Sequence, residues 1–171
     1  MTGQVPKSRE SGEDARDPSP LDRPAPALPR SVLFICNLNA VRSPMAHALA
    51  DHHCRRRVYV DSVGVAAGEL DAFSVAAMAE LGLDISHHRP KSFDALPVAD
   101  FELIISLTPE AQHRAVEMTR HSDAELEYWP TLDPTLTEGS REQRLDAYRQ
   151  VRDGLKQRIT DRFDFPAPGH L

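Results

Sequence analysis

In the run FICNLNAVRSP, Phe34 to Pro44, a cysteine sits where an apolar stretch stops, an arginine follows six residues later, and Ser-Pro comes directly after it. A cysteine thiolate is a strong nucleophile, and a guanidinium binds two oxygens of one tetrahedral anion with its planar fork. Cys36 and Arg42 at this spacing can therefore bring a nucleophile and an oxyanion into one pocket. For that, the backbone of Asn37, Leu38, Asn39, Ala40, Val41 and Arg42 must turn sharply, so that successive N–H groups converge into an anion nest. Asn37 and Asn39 are apt, because asparagine tolerates left-handed backbone conformations that branched residues avoid. A helix opening at this point adds positive potential from its dipole, and the same field favours the thiolate of Cys36. The chemistry allowed is in-line attack of sulfur on a bound phosphoryl group, with Arg42 and the amides stabilising charge on the equatorial oxygens. A bare Cys-x5-Arg pattern is weak and a buried structural cysteine competes with it; the position after an apolar run and before Ser-Pro carries the weight.

Such a loop needs a strand before it and a helix after it. Ser31–Ile35 is a short continuous apolar run, the pattern of a strand buried on both faces of a parallel sheet. Ser43 as cap and Pro44 at the first helical position then open a helix through MAHALADHHC. Val58–Val65 reads as a second strand, Asp71–Gly82 as a helix stopped by glycine, and Phe101–Leu107 as a third strand. Thr108 and Pro109 open a helix running to about Thr119, and LEYW is a fourth strand. Ser140 and Gln143 make a capping box, followed by a helical stripe of Leu145, Tyr148, Val151, Leu155, Ile159 and Phe163. Strands alternating with helices predict an α/β fold, a doubly wound parallel sheet with right-handed crossovers that binds ligands at the carboxyl ends of its strands.

The same edge offers an acid. Asp133, held extended by Pro134, lies in the loop after the fourth predicted strand, level with the end of the first. A carboxylic acid there can protonate a phenolate leaving group and later activate water. Taken alone, Asp-Pro is a turn.

Composition sets the class. The 171 residues are 40% hydrophobic and 27% charged with net charge −6, enough for one core and without the basic face of a nucleic-acid binder. Cys36 and Cys54 are the only cysteines, so neither a zinc or redox Cys-x-x-Cys pair nor a disulfide framework exists, and a reducing cytoplasm fits. No apolar run is long enough for a membrane span. Residues 1–29 are Pro-rich and charged and read as a disordered tail, 30–165 as the folded domain and 166–171 as a short C-terminal tail. The histidine pairs His52–His53 and His87–His88 and the run Arg55–Arg57 read as solvated surface rather than a metal site.

CNLNAVRSP resembles the phosphate loop of the low-molecular-weight protein tyrosine phosphatases, and the likeness extends over about Ser31 to Phe163, through VDSVG, GLDISHHRP and the late Asp-Pro. The resemblance implies a flavodoxin-like, four-stranded parallel sheet, a cysteinyl-phosphate intermediate and no cofactor or metal. It implies Cys36 as nucleophile, Arg42 as phosphate clamp and Asp133 as general acid, with Asn39, Ser43, Ser62 and His87 supporting the loop and Ser43 donating to the thiolate. The implied partners are a phosphorylated protein or a small aryl phosphate, with inorganic phosphate as product or inhibitor. Three features depart from the family. Leu38 replaces a common glycine, Val41 replaces a common second cysteine, and Thr135 follows Asp-Pro where an aromatic is usual. The expected activity is hydrolysis of aryl phosphate monoesters, protein phosphotyrosine among them. Two alternatives stay open: arsenate reduction with external thiols, since no cysteine follows Cys54, and a phosphopeptide-binding module of low turnover.

Overall fold

The structure, a computed structural model, describes Gly3 and residues 28–164. Its strands are β1 (Ser31–Cys36), β2 (Tyr59–Gly64), β3 (Leu103–Ser106) and β4 (Glu125–Tyr128); its helices are α1 (Arg42–His53), α2 (Ala72–Ala79), α3 (Pro109–Met118) and α4 (Arg141–Arg162). The four strands are parallel in the order β2-β1-β3-β4. This is the expected doubly wound fold, with boundaries within a few residues of those read from the sequence.

β1 lies inside the sheet and is covered on both faces, which is why its residues form an unbroken apolar run. Val32, Phe34 and Cys36 face one cluster, where α1, α2 and α4 contribute Met45, Leu49, Met78, Leu155 and Ile159. Leu33 and Ile35 face the other, with Phe93, Val98, Phe101 and the α3 alanines Ala111 and Ala115. Period-two alternation thus sends the Cys36 side chain toward the α1 face. Because all strands run the same way, the ends of β1 and β4 open on one edge, where the loops carrying Cys36 and Asp133 meet.

Two expected starts and stops are as read. Thr108 caps α3 by accepting from Ala111 N–H at 3.1 Å, and Ser140 and Gln143 exchange both bonds of a capping box. The start of α1 differs. It begins at Arg42 after Val41, with no side-chain cap, and Pro44 stands third in the helix rather than first. Ser43 cannot cap because its hydroxyl is engaged with Cys36 and Asn39. Pro44 is tolerated because a first-turn residue has no intrahelical acceptor for an N–H.

The α4 stripe holds, with Val151 only partly buried; the buried Arg152 beside it was not foreseen. Its Nη1 donates to Ala77 O at 2.8 Å and to Glu80 at 2.7 Å, joining α4 to the end of α2. His53 departs from the surface reading: it is half-buried and its ring Nε2 donates to Phe163 O at 2.9 Å. Arg55–Arg57 are exposed as read. The expected tails lie outside the described residues apart from Gly3, Leu28 and Pro29, and Leu28 packs against the larger core cluster. Among the described residues no helix is long and apolar enough to cross a membrane.

Candidate active site

Between β1 and α1 the carbonyls all turn outward. Cys36 O accepts from Val65 N–H (2.9 Å), Asn37 O from Ala66 N–H (2.8 Å), Leu38 O from Gly68 N–H (2.9 Å) and Ala40 O from Asp71 N–H (3.2 Å). Asn39 O meets His88 Nε2 at 3.2 Å. Holding the carbonyls out forces the N–H groups in, and none of those from residues 37–43 donates to another described residue. A run of amides facing one way above a helix N-terminus is an anion nest. The outer strap, residues 64–68, lies so close that a Cβ on Gly64 would stand 2.6 Å from Asn39 N and 2.7 Å from Leu38 C. Glycine is required there by contact with the loop.

Asn39 fixes the loop from within. It is fully buried with φ 52°, the left-handed conformation expected of it. Its Oδ1 accepts from Lys91 N–H (3.0 Å) and His88 Nε2–H (2.9 Å), and its Nδ2 donates to Ser43 Oγ (2.8 Å) and Ser62 Oγ (3.0 Å). Both Nδ2 protons are thus committed to serines, so the hydroxyl proton of Ser43 is free to point elsewhere. Cys36 Sγ lies 2.9 Å away, against 3.4 Å for Val63 O. A thiolate can only accept, so with the sulfur ionised the Ser43 hydroxyl donates to it; with a thiol the hydroxyl can instead donate to Val63 O.

The Arg42 side chain reaches the loop after β4. Its Nη1 donates to Thr131 O at 3.0 Å, and Nη2 is 3.9 Å from Asp133 Oδ2. Asp133 caps the short 3₁₀ turn Pro134–Leu136, its Oδ1 accepting from Thr135 N–H (2.9 Å) and Thr135 Oγ1–H (2.6 Å). One carboxylate oxygen is therefore held by Thr135 while the other faces the arginine. Arg42 of α1 and Asp133 of the loop after β4 thus face each other at the edge where β1 ends in Cys36.

Asn39, Ser43 and Ser62 stand together as expected. His87 does not: it is exposed at the tip of a turn closed by His88 N–H to Ile85 O at 3.0 Å, and His88, leaving that turn, takes the place on Asn39. Asn37 is not left-handed; its side-chain Oδ1 accepts from Thr108 Oγ1–H at 2.6 Å, which ties the loop to the α3 cap. Leu38 likewise has no positive φ, so a side chain is tolerated; it is 51% exposed and lies over Gly68. Val41 and Ala40 are buried and contribute backbone.

Three groups escaped the sequence reading. His47 Nδ1 lies 3.2 Å from Ser62 Oγ, and its ring stands edge-on to His88 at 6.4 Å. Its position four residues after Ser43, on the same helical face, was the available signal. Burial holds the pKa of both histidines below the ordinary 6.5, outweighing the nearby Asp61 carboxylate. Asp61 itself pairs with Lys91 Nζ at 2.6 Å beneath the loop. Across the mouth, Tyr148 donates to Asp71 Oδ2 at 2.8 Å and stacks on Phe73; burial and the Asp71 carboxylate push its pKa up.

Comparison with known proteins places this geometry in a group. Residues 31–164 match the family described as low molecular weight phosphotyrosine protein phosphatase. An arsenate reductase from Bacillus licheniformis is 31% identical over 130 residues, covering 76% of this chain and 92% of its own. Among solved structures, an arsenate reductase in a phosphate-binding state superposes with a TM-score of 0.63 at 25% identity, covering 77% of this chain and 95% of the other. The Escherichia coli tyrosine phosphatase Wzb in complex with sulphate superposes with a TM-score of 0.66 at 18% identity, covering 78% and 96%, a likeness of fold.

Proposed function

The chain belongs to the low molecular weight phosphotyrosine protein phosphatase family, and from that premise we propose that it hydrolyses aryl phosphate monoesters, with protein phosphotyrosine as the substrate class. It is a hydrolase of phosphoric monoesters in which Cys36 attacks phosphorus, forming the S–P bond as the P–O bond to the leaving group breaks. Arg42 and the inward N–H groups carry the charge of the transferring phosphoryl oxygens, and Asp133 gives its proton to the departing oxygen. In the second step Asp133 takes a proton from water, which attacks the cysteinyl phosphate and releases inorganic phosphate and the thiolate. The observation that supports this reading is the outward-turned carbonyls of the loop after Cys36, which leave its amides free, at the sheet edge where Arg42 is tied to Thr131 O and faces Asp133. The test is turnover of p-nitrophenyl phosphate and of a phosphotyrosine peptide. Cys36→Ser is expected to abolish both, and Asp133→Asn to slow the peptide by roughly 10²-fold or more. Undiminished turnover by Cys36→Ser overturns the reading.

The curated likeness to an arsenate reductase favours a second reading, reduction of arsenate bound in the same nest. This chain cannot resolve an arseno-thiol adduct internally. Cys54 is the only other cysteine and follows the C-terminal end of α1, whose 12 residues span about 18 Å. A disulfide needs Cα atoms within about 7 Å. External thiols would have to supply both electrons, so arsenate-dependent oxidation of glutathione or thioredoxin is the discriminating assay.

A further inference from the structure

The loop that carries Asp133 forms one wall of a groove of about 790 Å³ whose opposite wall is α4. Leu132 and Leu136 rise from the loop wall and are 86% and 79% exposed, the most exposed of the large apolar side chains among the described residues. Val151 and Gly154 line the helix wall. Gly154 is unusual, because glycine inside a helix is destabilising relative to alanine. No packing demands it, since an added Cβ would meet nothing within 4 Å. Its absent side chain keeps the groove open.

We propose that this groove receives an apolar side chain, leucine or an aromatic, of the polypeptide substrate at about two to four residues from the phosphorylated one, at the extended-chain rise. The proposal rests on the hydrolase reading and adds a specificity site to it. Continuity with the candidate active site selects this occupant. Thr131, whose carbonyl accepts from Arg42, and Asp133, which faces Arg42, both line the groove. A chain whose phosphate enters the loop crosses those residues on its way out. A second copy of the protein is a poorer fit, because a stable subunit interface buries roughly 800 Å² per partner and this patch presents two exposed leucines.

The test is a series of phosphotyrosine peptides of one length and charge, serine at every other variable position, with a single leucine moved from four residues before to four after the phosphotyrosine. Wild type is expected to show kcat/KM higher by about tenfold for leucine at one position, the effect of burying one such side chain. Gly154→Phe fills the groove; it is expected to erase that preference while leaving the all-serine peptide and p-nitrophenyl phosphate unchanged and the unfolding midpoint no lower. Leu132→Ser with Leu136→Ser is expected to do the same. A flat leucine series in wild type, or a preference that survives Gly154→Phe, overturns the groove. Failure of the hydrolase reading is separate: it shows as no turnover of any phosphorylated compound. In that event the same peptides are titrated against Cys36→Ser, where a leucine preference in affinity keeps the groove and its absence overturns it. Self-association abolished by Gly154→Phe, with peptide selectivity intact, also overturns it.

Discussion

Asn39 holds four hydrogen bonds while fully buried, and no other residue type supplies two donors, two acceptors and a tolerated positive φ at once. Asn39→Ala would remove one hydrogen bond each from Ser43, Ser62 and His88 and leave the Lys91 amide without the Oδ1 acceptor at a buried site. The expected loss is about 2 kcal/mol or more of unfolding free energy together with most of the turnover, measured by urea denaturation and p-nitrophenyl phosphate hydrolysis. Asn39→Asp keeps the acceptor and loses both donors; it should unfold later than Asn39→Ala while remaining slow, since Ser43 is no longer held against the sulfur. Equal stability of Asn39→Ala and wild type would contradict this role. Asn39, Cys36, Arg42 and Asp133 were legible because their types are tied to an unusual backbone or to a reaction. The choice between His87 and His88 was not, because it depends on where the Ile85–His88 turn falls, which adjacent histidines do not reveal.

The loop is gripped by elements on both sides of the sheet. Residues 64–68 and 91 hold it from the β2 side, the start of α2 holds Ala40, and Thr108 at the α3 cap holds Asn37. Thr108 therefore serves two elements: it caps α3 and fixes a loop side chain. Thr108→Ala is expected to cost about 1 kcal/mol as a lost cap and to raise KM for p-nitrophenyl phosphate through the freed Asn37; Thr108→Ser should restore both. A loss of stability with KM unchanged would show that the Asn37 contact does not position the loop. At this scale the sequence told most of the story. The buried runs, the Thr-Pro start and the capping box are local signals and appear where they were read. The start of α1 was misplaced because Ser-Pro after a loop has the look of a cap, whereas here the serine is turned inward by tertiary contacts with Cys36, Asn39 and Val63. Long-range partners of this kind, separated by 20 residues or more in sequence for Val63 and Ser62, leave no local mark.

Across the whole molecule the partly buried pair His47 and His88 links stability to pH. Burial holds both below the ordinary 6.5, against the opposing pull of Asp61 and Asp51 on His47 and of the Asn39 hydrogen bond and Asp61 on His88; Lys91 adds to both depressions and His88 to that of His47. The unfolded chain then binds more protons than the folded one, so stability rises with pH and is complete above about 6.5, falling as pH drops below that value. Glu80, held down to about 2 by hydrogen bonds from Arg149 and Arg152, acts only below the ordinary 4.5 and leaves the window clear. Urea midpoints should therefore fall from about pH 6.5 to pH 5, and His47→Gln with His88→Gln should flatten that slope; an unchanged slope would place the coupling elsewhere. The account as a whole depends on a covalent bond between Cys36 and phosphorus. Rapid acid quench of Asp133→Ala during turnover of p-nitrophenyl phosphate, followed by mass spectrometry of the peptide containing Cys36, measures it directly. The account predicts one added phosphoryl group on that peptide, absent in Cys36→Ser. Steady phosphate release from active enzyme with that peptide unmodified throughout would contradict it.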